Sequence, residues 1–178
     1  MIVLDSVCEV GRSLSTKVEK NDGGIEVVNC VLKFSDVVVT RDTVDELLGV
    51  DVGWCQQRLY QEDGSPVRAF SIGIYGREHT VTGTIRGVKG DQVLNLLQAE
   101  LTDLRFSLVS LGAVLEGKLK WLARGDEVED VMMLLGKTCG IHWEVHDAGQ
   151  KDMFSGSQRA AAAETRSKVT SISRERPQ

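Results

Sequence analysis

Hydrophobic and polar residues alternate with a period of two over much of this chain, the spacing of half-buried β-strands. Ser13 to Lys20 alternates loosely, and Ile25 to Thr40 is rich in Val, Leu and Phe and poor in helix formers. Between them, Asn21-Asp22-Gly23-Gly24 is a reversal signal. The two segments read as a hairpin whose second strand is long, or broken near Ser35-Asp36. Val67 to Tyr75 and Glu78 to Arg86 read as two further strands joined tightly near Gly76-Arg77. Gln92 to Ser110 is the longest apolar stretch. Leu97, Ala99 and Leu101 alternate with polar residues there, and Leu104, Phe106 and Leu108 do so again. That predicts strand, with a break or bulge at Thr102-Asp103. Ala113 to Ala123 and Cys139 to Val145 are the remaining strands.

Helical patterns are short. Thr43 followed by Glu46 is a capping-box pattern and Gly49 a natural stop, which predicts about two turns of helix. Asp126 and Glu129 open a second helix, running through Val131, Leu134 and Leu135 to Gly136. Residues 53–61 fit helix or strand. Asp63-Gly64-Ser65-Pro66 and the segment from Gly87 to Asp91 are turns.

One internal echo stands out. Leu32-Lys33-Phe34 precedes Leu47-Leu48-Gly49 by the same interval at which Leu119-Lys120-Trp121 precedes Leu134-Leu135-Gly136, with Val44 and Val131 in register. Convergence on a common strand–helix unit accounts for this. So does an internal duplication, which implies a two-fold-like body. The expected architecture is an α+β domain over residues 1–149. It is mainly antiparallel β, a sandwich or partly closed barrel, with two short helices. Residues 150–178 are expected to form a flexible tail. After Phe154 the tail lacks aromatic residues and is rich in Ser, Arg and Ala, the composition of a disordered segment.

Composition narrows the function classes. A chain of 178 residues that is 42% hydrophobic buries a core without staples. Residues 151–178 carry six basic and three acidic side chains, a net +3, which leaves −8 for residues 1–150 of a chain whose total is −5. An acidic body excludes broad binding of a phosphate backbone, and the tail offers only a weak nucleic-acid contact. No apolar run reaches membrane-spanning length, and Met1 to Asp5 shows no basic leader pattern. A cytoplasmic protein is expected, in a bacterium or in a host cell carrying a viral genome. Cys8, Cys30, Cys55 and Cys139 form no C-x-x-C pair and read as free, buried thiols.

Catalytic chemistry finds no foothold. Cys139, His142 and His146 have metal-ligand residue types, but on a strand the two histidines stand roughly 13 Å apart and no fourth ligand is near. No metal and no cofactor are expected. Asp126, Glu127, Glu129 and Asp130 suit a helix N-terminus, where carboxylates are favoured. Glu127, Glu129 and Asp130 also form an acidic surface. Ser110, Cys55 and His79 sit in no nucleophile motif, and Gly87-Val88-Lys89-Gly90 lacks the spacing of a phosphate loop.

The outward-pointing feature is Gln150-Lys151-Asp152-Met153-Phe154. It resembles the pentapeptide of bacterial sliding-clamp ligands, Gln-Leu-(Ser or Asp)-Leu-Phe, with Met in place of the second Leu and Lys151 in place of the first. The resemblance implies that Gln150 bonds at a pocket rim and Asp152 holds the extended turn. Met153 and Phe154 are then the apolar anchors. The competing expectation is that Met153 and Phe154 fold back beside Trp143 and close the core. The overall character, a small acidic β-rich body with a terminal motif, looks like phage or prophage accessory proteins. Three non-enzymatic functions follow. The first is an adaptor for phage-type DNA replication or recombination, docking on the host sliding clamp. The second is a counter-defence inhibitor that binds a host nuclease or defence complex through the acidic body. The third is a virion structural or assembly protein.

Overall fold

The computed structural model describes residues 1–20, 26–69, 71–74, 77–88, 92–110, 112–123 and 125–150. Seven strands and three helices occur among them: β1 (Ile2–Lys20), β2 (Glu26–Val39), α1 (Arg41–Leu48), α2 (Trp54–Leu59), β3 (Ser71–Gly73), β4 (Arg77–Gly87), β5 (Val93–Val109), β6 (Gly112–Ala123), α3 (Gly125–Leu134) and β7 (Thr138–Gln150). The disorder expected of residues 151–178, and the fold-back of Met153 and Phe154, lie outside the described residues.

Every strand pairing is antiparallel, as the alternating pattern implies. The order β5-β4-β7-β1-β2-β6 closes on itself through β5–β6 pairing, so six strands form a complete barrel. Closure removes exposed sheet edges. Alternate residues fill the interior: Ile2, Leu4, Cys8 and Val10 from β1, and Cys139, Ile141, Trp143 and Val145 from β7 are all buried. Phe34 meets Trp143 edge-on there, with ring centroids 5.1 Å apart.

The ring is two-fold in its connectivity. Exchanging β1 with β5, β2 with β6 and β4 with β7 leaves the pairing scheme unchanged. Each half is a ββαβ unit, β1-β2-α1-β4 and β5-β6-α3-β7, whose last strand crosses over to pair with the other half. Registers agree around the seam. Leu14 pairs with Leu32 as Leu101 pairs with Leu119, and Leu32 pairs with Leu119 across the seam. Val44 and Leu47 of α1 are buried, as are their counterparts Val131 and Leu134 of α3. Gly49 and Gly136 end the two helices with φ of 66° and 68°. Because β2 and β6 are antiparallel, the helices that follow them close opposite ends of the barrel. The sequence echo thus has the geometry of a duplication.

Several local expectations change. Thr40, not Thr43, caps α1: its Oγ1 accepts from the Thr43 amide at 3.2 Å. Residues 54–59 are helical, giving three helices instead of two. Asp45 of α1 is buried and accepts from the Gly53 and Cys55 amides at 2.7 and 2.8 Å, which satisfies the start of α2. Among the described residues of the segment Val67 to Tyr75, only the short β3 is strand. It makes no hairpin with β4; β3 and β4 lie in line along the same edge of β5, one strand with an interruption. Leu97 is 81% exposed, because a register shift opposite Val81–Gly83 turns it outward and leaves Leu94, Leu96, Ala99 and Leu101 on the inner face. The strand expected to be long or broken near Ser35-Asp36 is continuous with a register shift there, and a register shift falls at Thr102-Asp103 where a break or bulge was expected, with Asp36 and Asp103 at φ of 62° and 52°. β1 starts at Ile2, and β7 continues past Val145 to Gln150.

Candidate functional site

Two clefts occupy related places on the barrel. The larger, about 750 Å³, opens where register shifts in the β1–β2, β2–β6 and β5–β6 pairings come together. Bulges bend strands and re-aim side chains, which is how a closed barrel acquires a concavity in its wall. Gly11 and Arg12 of β1, Lys33 to Ser35 of β2, Asp103 to Arg105 of β5 and Glu116 to Lys118 of β6 line it. Its floor is apolar: Phe34 and Leu104 are buried beneath it. Gly117 keeps the floor open to them, since a Cβ there would come within 2.8 Å of Leu104 and 3.1 Å of Phe34.

The second cleft, about 570 Å³, lies between Asn95–Gln98 of β5 and Lys120–Leu122 of β6, where those strands part. Its Leu97, Gln98, Lys120, Trp121 and Leu122 are the two-fold counterparts of Val10, Gly11, Lys33, Phe34 and Ser35 in the first cleft. Asn29 likewise answers Glu116. Each cleft therefore sets a lysine beside a buried aromatic ring. Their electrostatics differ. Lys120 is paired with Glu100 at 3.3 Å, whereas the counterpart of Glu100 beside Lys33 is Ser13. The second cleft also holds two buried polar atoms with no partner, Asn29 Oδ1 and Trp121 Nε1.

A smaller cavity of about 260 Å³ is lined by His79, Arg77 and Thr102. His79 is 1% exposed, and neither ring nitrogen makes a well-formed hydrogen bond. Burial lowers its pKa, as does the charge of Arg77. The Asp147 carboxylate and the Leu47 backbone act in the opposite direction. Arg77 donates to the Leu48 carbonyl at 3.0 Å and pairs with Asp147, tying the end of α1 to β7.

The residues marked out by sequence are dispersed. Gln150 is the last residue of β7, its backbone opposite Arg77; Lys151, Asp152, Met153 and Phe154 lie outside the described residues. Glu129 and Asp130 are exposed on α3, while Glu127 is half-buried and turned to the second cleft. Cys139 faces the interior, and His142 stands outside beside Asp5 at 3.5 Å. No group of acidic, histidine or cysteine side chains among the described residues is arranged to hold a metal. All four cysteines are free and buried. Burial pushes Cys8 and Cys55 up to about 12, helped by Cys139 and Glu9 at the first and by Asp45 at the second. No helix among the described residues is long and apolar enough to cross a membrane.

Sequence reasoning missed Arg12, Lys33, Arg105 and Lys118 as a group. Lys33 and Lys120 were visible at the centre of the echoed tripeptides, yet only the bulges bring the others alongside. No protein-family model, no curated protein and no solved structure matches this chain.

Proposed function

We propose that this protein is a non-enzymatic adaptor for phage-type DNA replication or recombination that docks on the host sliding clamp through residues 150–154. The observation that carries the reading is the pentapeptide itself, beginning on the final residue of the last barrel strand. A linear ligand needs an extended backbone and reachable anchors, and β7 is extended up to Gln150. A register shift between Glu78 and His79 separates the final two pairs, Arg77–Gln150 and Glu78–Gly149, from the rest of the β4–β7 ladder. Releasing that last rung costs about 0.5–1.5 kcal/mol per hydrogen bond, small beside the contribution of two buried apolar anchors. Affinity capture from bacterial lysate tests it. Intact protein is expected to recover the clamp, and protein ending at Gly149 to lose it. Equal recovery by both forms contradicts the docking segment.

The second reading is an inhibitor acting through its acidic surface. One observation favours it: α3 exposes Glu129, Asp130, Met132 and Met133 together, and adaptable methionines beside charges suit a protein partner. Reversing the charge of Glu127, Glu129 and Asp130 then abolishes inhibition of the host target, while substitutions at Met153 and Phe154 leave it intact.

A further inference from the structure

Lys33 and Lys118 are direct register partners across β2 and β6, in the wall of the larger cleft. Like charges directly opposite in a sheet are destabilising. The two-fold counterpart of this pair is Val31 opposite Lys120, so the duplicated fold does not require two lysines here. Asp103 neutralises Lys118 at 2.6 Å. The other carboxylates of the lining are Glu9, which accepts from the Thr138 hydroxyl, and Glu116, the register partner of Arg105. Lys33 and Arg12 make no side-chain hydrogen bond or ion pair among the described residues. This concavity of an acidic body thus holds Arg12 and Lys33 outside any ion pair among the described residues and sets Lys33 opposite Lys118.

We propose that this cleft binds a phosphorylated small molecule of nucleotide size, its phosphate held by Arg12 and Lys33 with Lys118 alongside. A guanidinium takes two phosphate oxygens in a planar fork, and an ammonium adds a compact point charge. An anion between Lys33 and Lys118 turns their repulsion into shared attraction. The cleft volume of about 750 Å³ is that of a small-ligand site. The Phe34–Leu104 floor suits the apolar or planar part of such a molecule. A long nucleic acid is a poorer fit, because residues 1–150 carry −8 and repel an extended polyanion. This site is independent of the docking segment at residues 150–154.

Calorimetric titration of the full chain at low salt tests the site, with inorganic pyrophosphate in one arm and a nucleoside triphosphate in the other. Both arms are expected to saturate, and added salt to weaken them. Tighter binding of the triphosphate identifies a nucleotide. Equal or tighter binding of pyrophosphate identifies the phosphate group alone as the ligand. Lys33→Gln is expected to weaken binding by about tenfold or more, while Lys120→Gln, its counterpart in the second cleft, leaves it unchanged. Without ligand, Lys33→Gln is expected to melt no lower than the parent, since it removes a repulsion. Three results overturn the proposal: no heat from either ligand at about 10 mM, unaltered affinity in Lys33→Gln, or equal losses in the two lysine variants.

Discussion

Leu32 faces Leu119 across the β2–β6 seam, and each is the other's counterpart in the two halves of the barrel. Both are fully buried. A two-fold axis passing between them makes this contact the junction of the ββαβ units. Leu32→Ala and Leu119→Ala are each expected to cost about 2–5 kcal/mol by urea denaturation. Since the side chains share one cavity, the double variant is expected to cost less than the sum, by about 0.5–3 kcal/mol. Strict additivity would place the two leucines in separate parts of the core.

The glycines that end α1 and α3 separate backbone strain from steric clash. Gly49 and Gly136 have nearly the same positive φ, so alanine at either is expected to cost about 1–2 kcal/mol. A Cβ at Gly136 meets only Arg12 Cγ at 3.5 Å, whereas one at Gly49 falls on the Arg77 guanidinium. Gly49→Ala is therefore expected to be the more damaging, because it also displaces Arg77 from the Leu48 carbonyl and Asp147. Equal melting temperatures for the two variants would contradict the Arg77 contact.

His79 predicts an acid limb. Its pKa is lowered chiefly by burial, so below its ordinary value of 6.5 the unfolded chain takes up a proton that the folded chain resists. Stability is full above pH 6.5 and falls as the pH drops toward the depressed folded value. His79→Leu is expected to flatten this limb and to be neutral or stabilising at pH 7, since the ring nitrogens lack good partners. Urea midpoints at pH 5 and 7 measure both effects. An unchanged acid limb in the variant would assign it to other groups.

Cys8 predicts the opposite limb. Its thiol ordinarily titrates at 9.0 and is pushed up to about 12 in the fold. Between those values the unfolded chain loses a proton that the folded chain keeps. Stability is full below pH 9 and is lost as the pH rises toward 12, at up to about 1.4 kcal/mol per pH unit for this thiol. Cys8→Ala is expected to reduce that slope. Native protein at pH 8 is expected to resist alkylation at all four cysteines, and unfolded protein to react fully. Fast labelling of Cys8 in the native state would contradict its burial.

The antiparallel sheet was legible in the sequence because stretches of β5 and β6 alternate and β2 is rich in Val, Leu and Phe, and both irregularities were marked by a polar pair inside an apolar run. The first half of β1 was not legible. Val3 and Val7 are apolar yet exposed, which blurs the alternation of Ile2, Leu4, Cys8 and Val10. Leu97 misled for the related reason that one inserted residue reverses the faces of a strand. Barrel closure depends on β5 using both edges at Glu100 and Leu101, a tertiary fact without a local signal. The tripeptides around Lys33 and Lys120 marked the repeated strand–helix unit but not the clefts. Those exist only where bulges on strands distant in sequence meet. The pentapeptide at residues 150–154 is a reading from sequence alone, because a linear motif carries its chemistry in consecutive residues.

Titration of purified bacterial sliding clamp with the intact protein, and with the combined Met153→Ala and Phe154→Ala variant, tests the proposed role most directly. Saturable binding near about 10 μM or tighter by the intact protein, lost in the variant, is the expected result. Silence from the intact protein at well above that concentration, or undiminished binding by the variant, would contradict the role assigned to residues 150–154.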